Sequence, residues 1–223
     1  MSDTQAVGFV VLLDANVLAK PVTRTLVMAA GPLSGYGATW SQYEEDEANR
    51  HLRPGQSPVT IVRALSDGEL APTGLEAERY RETSAKDRQV LADAVAADAL
   101  FIVTEDVDDF NQGDLVAAGV AAVNPDLFLS LRATSEGYLE ALAFMAQRFK
   151  APERTAAQLH VRLGRAHPLT VAVQSALFLD SEPLSASQRA PAVLYRGNRC
   201  LGCLQAKPTV KLGLCPDCVD WRG

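Results

Sequence analysis

No cysteine occurs before Cys200, so disulfides cannot staple the body of this 223-residue chain. Excess positive charge is also missing: the formal net charge is −6 and the sequence pI is near 5.1. A molecule basic over its whole surface, the usual nucleic-acid binder, is thereby excluded. An acidic site that faces a phosphate backbone through a metal ion is not. No apolar run approaches the roughly 20 residues of a membrane-crossing helix. Residues 7–13 are apolar, but no positive segment precedes them and Asp14 follows at once, so no secretory signal is expected and a cytoplasmic protein is. Histidines number three, His51, His160 and His167, scattered over helical and breaker segments. None is assigned a catalytic role. There is no internal repeat and no long biased tract.

What is present is a globular composition, 48% hydrophobic and 22% charged, in a chain long enough to bury a sizeable core. "VGFVVLL" does not alternate, so it reads as a strand buried on both faces. "TRTLVMAA" reads as a short helix stopped at Gly31-Pro32, and "YGATW" as extended. "SQYEEDEANRHL" is helical, with Ser41 and Glu44 spaced as a capping box. Ser57-Pro58 opens another helix. "SAKDRQVLADAVAADA" is a helix with Ser84 at its cap. "LFIVT" is a second buried strand, "NQGDLVAAG" a short helix ended by Gly119, "VAAV" a third strand, and "PDLFLSLR" a helix with Pro125 in its first turn. Apolar strands alternating with helices predict an α/β domain with a parallel sheet. After residue 132 only helices are expected, through "SEGYLEALAFMAQRFK", "RTAAQLHVRLGRA" and "PLTVAVQSALFL", whose apolar stripes suit packing. Then comes a linker and the cysteines. The expected organisation is an α/β domain over 1–132, a helical extension over 133–180, a linker over 181–195 and a small module over 196–223.

Acidic residues recur where ligands bind in such folds, at the carboxyl ends of strands. Asp14 ends the first strand, with Asn16 two residues on. Thr104, Asp106 and Asp109 follow the second. Asp87 falls on the apolar stripe of Val90, Leu91, Ala94 and Val95, where an acid needs a partner. That partner is either the helix N-terminus or a metal ion. Asp93 is expected to point outward into solvent. In "WSQYEEDEANRHL", Glu45 and Asp46 point away from the Trp40/Ala48/Leu52 side, whereas Glu44 and Glu47 both lean towards it. Periodicity does not choose between those two, although Glu44 is accounted for as a cap. Oxygen ligands from segments around 14, 47, 87 and 106 suit Mg²⁺ or Mn²⁺. Such ions acidify water and clamp a phosphodiester without a His or Cys nucleophile. Without metal, at least one of these carboxyls is expected to titrate well above the ordinary range.

Together, "LLDANVL", "ATWSQYEEDEANRHL", "KDRQVLADAVAADALFIVTEDVDDF" and "VAAVNPDLFLSLR" resemble the PIN-domain nucleases, in particular the bacterial, VapC-like toxin branch. The resemblance thins through the helices to about residue 175. Trp40-Ser41 followed by Glu47 matches a pattern of one subfamily and favours Glu47 over Glu44. The third family acid falls on Asp87 and the fourth on Asp106, in a Thr-x-Asp pattern starting at Thr104. Asp109-Phe110 matches a common Asp-Phe pair. The chain departs from the family at Glu44 and Glu45, where apolar residues are usual. The resemblance implies a three-layer, parallel-sheet PIN-like domain and a metal-dependent endoribonuclease, the toxin of a toxin–antitoxin pair. It implies Asp14, Glu47, Asp87 and Asp106 as Mg²⁺ or Mn²⁺ ligands, with Asn16, Thr104 and Asp109 supporting them. RNA is the implied substrate, an antitoxin protein the implied partner and a homodimer a common state.

Two other readings stand beside it. A haloacid-dehalogenase-type phosphatase also begins with Asp after the first strand, but wants Asp where this chain has Asn16 and a lysine for which Lys86 is a poor substitute. A non-catalytic RNA- or protein-binding module with a relic acidic site would be favoured by loss of a ligand; all four positions are filled.

The tail reads Cys-x2-Cys, eleven residues, Cys-x2-Cys: Cys200, Cys203, Cys215 and Cys218. Two tight turns, each presenting two sulfurs, build a tetrahedral Zn²⁺ site. The module resembles a zinc ribbon or treble-clef knuckle, which is no part of the usual toxin pattern. Arg196, Arg199, Lys207, Lys211 and Arg222 outnumber Asp217 and Asp220, so the tail is mildly basic. It is expected either to position RNA or a partner, or to act as a cap that uses zinc in place of a core.

Overall fold

The computed structural model describes residues 8–65, 68–148, 153–180, 185 and 193–220. Most of the expected linker lies outside them. The elements run β1 (Phe9–Leu13), α1 (Ala15–Leu18), α2 (Pro21–Ser34), β2 (Tyr36–Thr39), α3 (Gln42–Arg50), α4 (Val59–Leu65), α5 (Arg88–Ala96), β3 (Ala99–Val103), α6 (Gln112–Ala118), β4 (Ala121–Val123), α7 (Pro125–Arg132), α8 (Ser135–Arg148), α9 (Ala156–Leu163), α10 (Pro168–Val173), β5 (Tyr195–Arg196) and α11 (Pro216–Asp220). The fold is α/β, with a five-stranded, mostly parallel sheet in the order β2-β1-β3-β4-β5.

Why the strand sequences do not alternate is visible in the two cores. Val11, Leu13, Phe101, Val103, Ala121 and Val123 face one of them, with α2, α7 and α8. Leu12, Ile102 and Ala122, their neighbours along the strands, face the other, with α5 and α6. Helices therefore cover both faces of the sheet, and every position of β1, β3 and β4 is apolar. Among the described residues no helix is long and apolar enough to cross a membrane.

Several local expectations change. Helix α2 does not stop at Gly31-Pro32 but runs through Pro32 to Ser34. Only the last turn is affected by the missing N–H, and the face carrying Leu26, Val27 and Ala30 is fully buried. Helix α5 starts at Arg88 rather than at Ser84. Residues 84–87 form a turn closed by Asp87 N donating to Ser84 O at 2.9 Å, and the Asp87 carbonyl accepts the first helical bond, from Leu91 N. A strand does occur after residue 132. Strand β5 pairs antiparallel with β4, Arg196 opposite Ala122 and Tyr195 opposite Val123. The helical extension packs as its stripes predict: Tyr138, Ala141, Leu142 and Met145 of α8 are buried in the main core.

Glu45 and Asp93 are not solvated, contrary to expectation. Glu45 is 1% exposed, accepts from Trp40 Nε1 at 3.0 Å and pairs with Arg63 Nε at 2.9 Å. Asp93 is fully buried, accepting from Gly74 N and Gln89 Nε2, both at 2.6 Å, and from the Ser41 hydroxyl. In each case a donor from another segment replaces water, which periodicity within one helix does not register.

Candidate functional site

The chain leaves β1 for β2 on one side, then returns to pair β3 on the other. The carboxyl ends of β1 and β3 thus flank a topological switch point, where the crossovers part and leave a crevice. Asp14 follows β1 and Thr104 follows β3. Asp14 N donates to Val103 O at 3.2 Å and Thr104 N to Val123 O at 3.0 Å, so both residues are fixed by the sheet ladder.

Their side chains meet. Thr104 Oγ1 donates to Asp14 Oδ2 at 2.6 Å, and Asn16 Nδ2 reaches the same oxygen at 2.8 Å. Asn16 Nδ2 also lies 3.0 Å from Thr104 Oγ1 and 3.1 Å from Asp106 Oδ2. Its other end, Oδ1, accepts from Glu105 N at 3.1 Å, and Asp106 N donates to Thr104 Oγ1 at 3.1 Å. Four of the expected residues, Asp14, Asn16, Thr104 and Asp106, therefore form one bonded cluster. Lys20 closes its flank by an ion pair with Glu105.

Asp87, in the turn before α5, lies near enough to this cluster for its charge to raise the Asp14 pKa and for Asp106 to raise its own. It is 7% exposed, and its Oδ2 is buried without a hydrogen-bond partner. Lys86 Nζ stands 4.0 Å from that oxygen and 2.7 Å from Asp109 Oδ2. Asp109 is thus a counter-ion to Lys86. Its carbonyl also accepts from Ser84 N at 2.9 Å and so holds the turn that carries Asp87. Lys86, a poor substitute for a phosphatase lysine, is here a cation that stands between Asp87 and Asp109. Its adjacency to Asp87 was the available signal.

Glu47 is half-buried on α3, and among the described residues no hydrogen bond ties it to the cluster. It lies on the side of Tyr43, whose hydroxyl donates to Lys86 O at 3.1 Å. Burial raises the Tyr43 pKa, and the charges of Glu47, Asp87 and Glu44 add to the rise. Glu47 and Asp87 thus act on one phenol. Glu44, the competing candidate, closes the expected capping box with Ser41.

Electrostatics mark Asp14 and Asp87 apart from ordinary carboxyls. Burial pushes Asp14 up to about 7, the Thr104 bond opposes this, and the charges of Asp87 and Asp106 add to it. Burial likewise lifts Asp87 to about 6, against Lys86 and Ser84, with Asp109 and Asp106 reinforcing the rise. Mutual repulsion among Asp14, Asp87 and Asp106 is what a divalent cation relieves. The oxygen-only donor set and the orphaned Asp87 Oδ2 fit a hard cation such as Mg²⁺ or Mn²⁺.

A second set of ligands is tighter. Among the described residues, only Cys200, Cys203, Cys215 and Cys218 form a His/Cys/Asp/Glu group of three or more whose ligand atoms all lie within 4.8 Å of one another. The Cys203 and Cys215 sulfurs are 3.9 Å apart, against about 3.8 Å for the edge of a tetrahedron with Zn–S bonds near 2.3 Å. These four cysteines can bind a metal such as zinc. Burial pushes the Cys200 thiol up, but N–H groups of Cys203, Cys215 and Gly202 at its sulfur pull it down to about 7. Burial, with the neighbouring sulfurs, pushes Cys218 up to about 12. One early thiolate beside reluctant thiols is the state from which metal binding expels protons.

Comparison with protein-family models, with curated proteins and with solved structures finds no match for this chain.

Proposed function

We propose that this protein is a metal-dependent endoribonuclease, with Mg²⁺ or Mn²⁺ held by Asp14, Asp87, Asp106 and Glu47. The observation that carries the reading is the buried Asp87 Oδ2, without a hydrogen bond and within reach of the charges of Asp14 and Asp106 at the switch point of the sheet. Lys86, 4.0 Å from that oxygen and shared with Asp109, offsets only part of its charge, and burying the remainder is costly unless a proton or a further cation meets it. A divalent ion supplies Lewis-acid activation of water and neutralises charge on the phosphodiester. The chain's own part is to orient the ligands. Thr104 and Asn16 direct their hydrogens at Asp14 Oδ2, which leaves its other oxygen for the ion, and Asn16 spaces Asp106 from Asp14.

The likeness of these motifs to the PIN-domain, VapC-like toxins extends the proposal. The protein is then the toxin of a toxin–antitoxin pair, acting on RNA in the cytoplasm, with an antitoxin protein as partner and a homodimer as a working form. The cysteine module carries zinc as a structural ion.

A binding module with a relic acidic site is kept as the second reading. It is favoured by one observation: no three carboxylates of the described residues converge within 4.8 Å. The deciding experiment is cleavage of a mixed RNA pool by purified protein with Mg²⁺ or Mn²⁺, against EDTA and against Asp14→Asn. Metal-dependent cuts lost in the variant are expected. A folded, metal-supplied protein that leaves every RNA intact would overturn the nuclease in favour of the binding module.

A further inference from the structure

The cysteine tail is built into the acidic site rather than hung beside it. Strand β5 extends the sheet, and Asn124 N adds a bond to Leu194 O at 2.9 Å. Four residues before Cys200, the Arg196 guanidinium donates from Nη1 to Asp108 O at 3.0 Å and to Phe110 O at 2.7 Å. Those carbonyls belong to the short turn Val107–Asp109 and the residue after it, directly beyond Asp106. The next residue, Gly197, exchanges two bonds with the Gln112 amide, N to Oε1 at 2.7 Å and Nε2 to O at 3.0 Å. Arg199 then donates to Gly119 O through Nε and Nη2, at 2.9 and 2.7 Å, and to Leu204 O within the first cysteine knuckle at 2.9 Å.

Beyond the knuckle the same continuity holds. Leu201 lies in the main core, fully buried between two metal-ligand cysteines, and its carbonyl accepts from Arg132 Nη1 at 3.1 Å. Leu201 N donates to Gly213 O, tying the two knuckles together. Arg199 thus braces the first cysteine knuckle against Gly119, and Arg196, three residues earlier on the same stretch of chain, bonds the turn after Asp106. From there the Asp109 carbonyl reaches Ser84 and so the turn bearing Asp87.

We infer that Arg196 is a positioning residue for the acidic site, and that metal bound by Cys200, Cys203, Cys215 and Cys218 sets the geometry of Asp106, Asp109 and Asp87 through it. The tail module is then neither a free RNA-binding arm nor a passive cap. Its metal state governs how well the distant carboxylates hold a divalent ion. The connection from tail to turn stands on the bonds themselves; only its consequence for Mn²⁺ rests on the proposed nuclease site.

Physical reasons favour a local effect. The turn over residues 106–110 carries three acids and is anchored by few backbone bonds of its own: Asp109 N to Asp106 O and Phe110 N to Val107 O. A cationic fork on two of its carbonyls is a large share of what holds it, since charge-assisted bonds are about twice as strong as neutral ones. Groups bonded directly to metal ligands are worth about 10–100-fold in affinity; Arg196 acts one step further out, on the turn carrying Asp106, so a smaller loss of about threefold or more is expected.

The test compares the zinc-loaded full chain, the chain stripped of tail zinc with a mercurial and a zinc dye, and Arg196→Gln. Amide exchange by mass spectrometry is read over 82–88 and 104–113, with α2 and α8 as internal references. Mn²⁺ affinity is read by electron paramagnetic resonance. Both perturbed forms should exchange faster in the two acidic segments while α2 and α8 are unchanged, and Arg196→Gln should keep its zinc yet bind Mn²⁺ about threefold or more weakly. Unchanged exchange in those segments, or an equal rise in α2 and α8, would overturn the inference. If the intact chain binds no Mn²⁺ that Asp14→Asn removes, the nuclease site fails, and the exchange data still decide whether the tail holds the turn.

Discussion

Thr104 Oγ1 lies 2.6 Å from Asp14 Oδ2, and this bond joins the carboxyl ends of two neighbouring parallel strands. Among the described residues, Thr104 Oγ1 and Asn16 Nδ2 are the side-chain donors to this carboxyl, which burial has lifted to about 7. Thr104→Val keeps the shape and removes the hydroxyl. The bond favours the charged form of Asp14, so its loss should raise that pKa further. A destabilisation of about 1–2 kcal/mol is expected, larger at about pH 8 than at about pH 5, whereas Thr104→Ser should stay near the parent. Urea unfolding at both pH values checks it; equal losses at the two would contradict the assignment.

On the proposed nuclease reading, divalent metal should stabilise the protein, because it would bind the folded arrangement of the acids and not the unfolded chain. At a hundredfold excess over Kd the gain is about 2.7 kcal/mol. The midpoint of thermal unfolding should therefore climb with added Mn²⁺. The climb should fade as pH falls through about 7 and about 6, where Asp14 and Asp87 take up protons that compete with the ion. Asp14→Asn should show no climb. Without metal at about pH 8 it should be more stable than the parent, since a buried charge has gone. A variant that still responds to Mn²⁺ would move the ion elsewhere.

Glu44 gives a pH signature of its own. Its carboxyl is fully buried with Oε1 unpartnered, and the single Ser41 hydroxyl hydrogen lies between Glu44 and Asp93. One hydrogen cannot serve two carboxylates, so a proton is retained. Burial, with the Asp93 charge adding, lifts Glu44 from 4.5 to about 7 against the opposing Ser41 bonds. Between those values the folded chain holds a proton that the unfolded chain releases. Stability from this group is present in full below about 4.5 and is lost as pH rises through about 7. Glu44→Gln should flatten that slope and be more stable than the parent at about pH 8 by roughly 1–3 kcal/mol. Parallel stability–pH curves for the two proteins would refute the retained proton.

Gly197 is required by the docking of the tail. Its φ is +128°, and an added Cβ would come within 2.5 Å of Ala121 Cβ and 2.8 Å of Ala121 Cα. Backbone contact of that kind has no flexible side chain to yield. Gly197→Ala should cost about 1–3 kcal/mol and open the β4–β5 pairing first, seen as faster amide exchange at residues 195–199. An unperturbed edge strand in that variant would show that the tail docks otherwise.

Much of this could be read directly. Non-alternating apolar runs identified β1, β3 and β4 as strands covered on both faces, because nothing but two helical layers makes every strand position apolar. Ser41 and Glu44 announced their capping box, and Gly119 its helix end, since both depend on chemistry within four residues. Cys-x2-Cys twice over placed four sulfurs, because the turn itself delivers them.

Other features had no local signal. Asp93 and Glu45 were misplaced since their donors, Gly74, Ser41, Trp40 and Arg63, arrive from other segments or wrap round a helix end. Strand β5 is two residues long and pairs with a partner more than seventy positions earlier, so no periodicity can mark it. The sequence by itself determined the α/β class, the acids at two strand ends and the four-cysteine ligand set, all of them properties of short stretches. Only the tertiary structure decided that Asp87 keeps a buried oxygen without a hydrogen bond, with Lys86 on one side and acids on the other, and that Arg196 ties the cysteine tail to the turn after Asp106. Both depend on which distant surfaces the sheet order brings together, and desolvation and bond geometry are properties of that meeting.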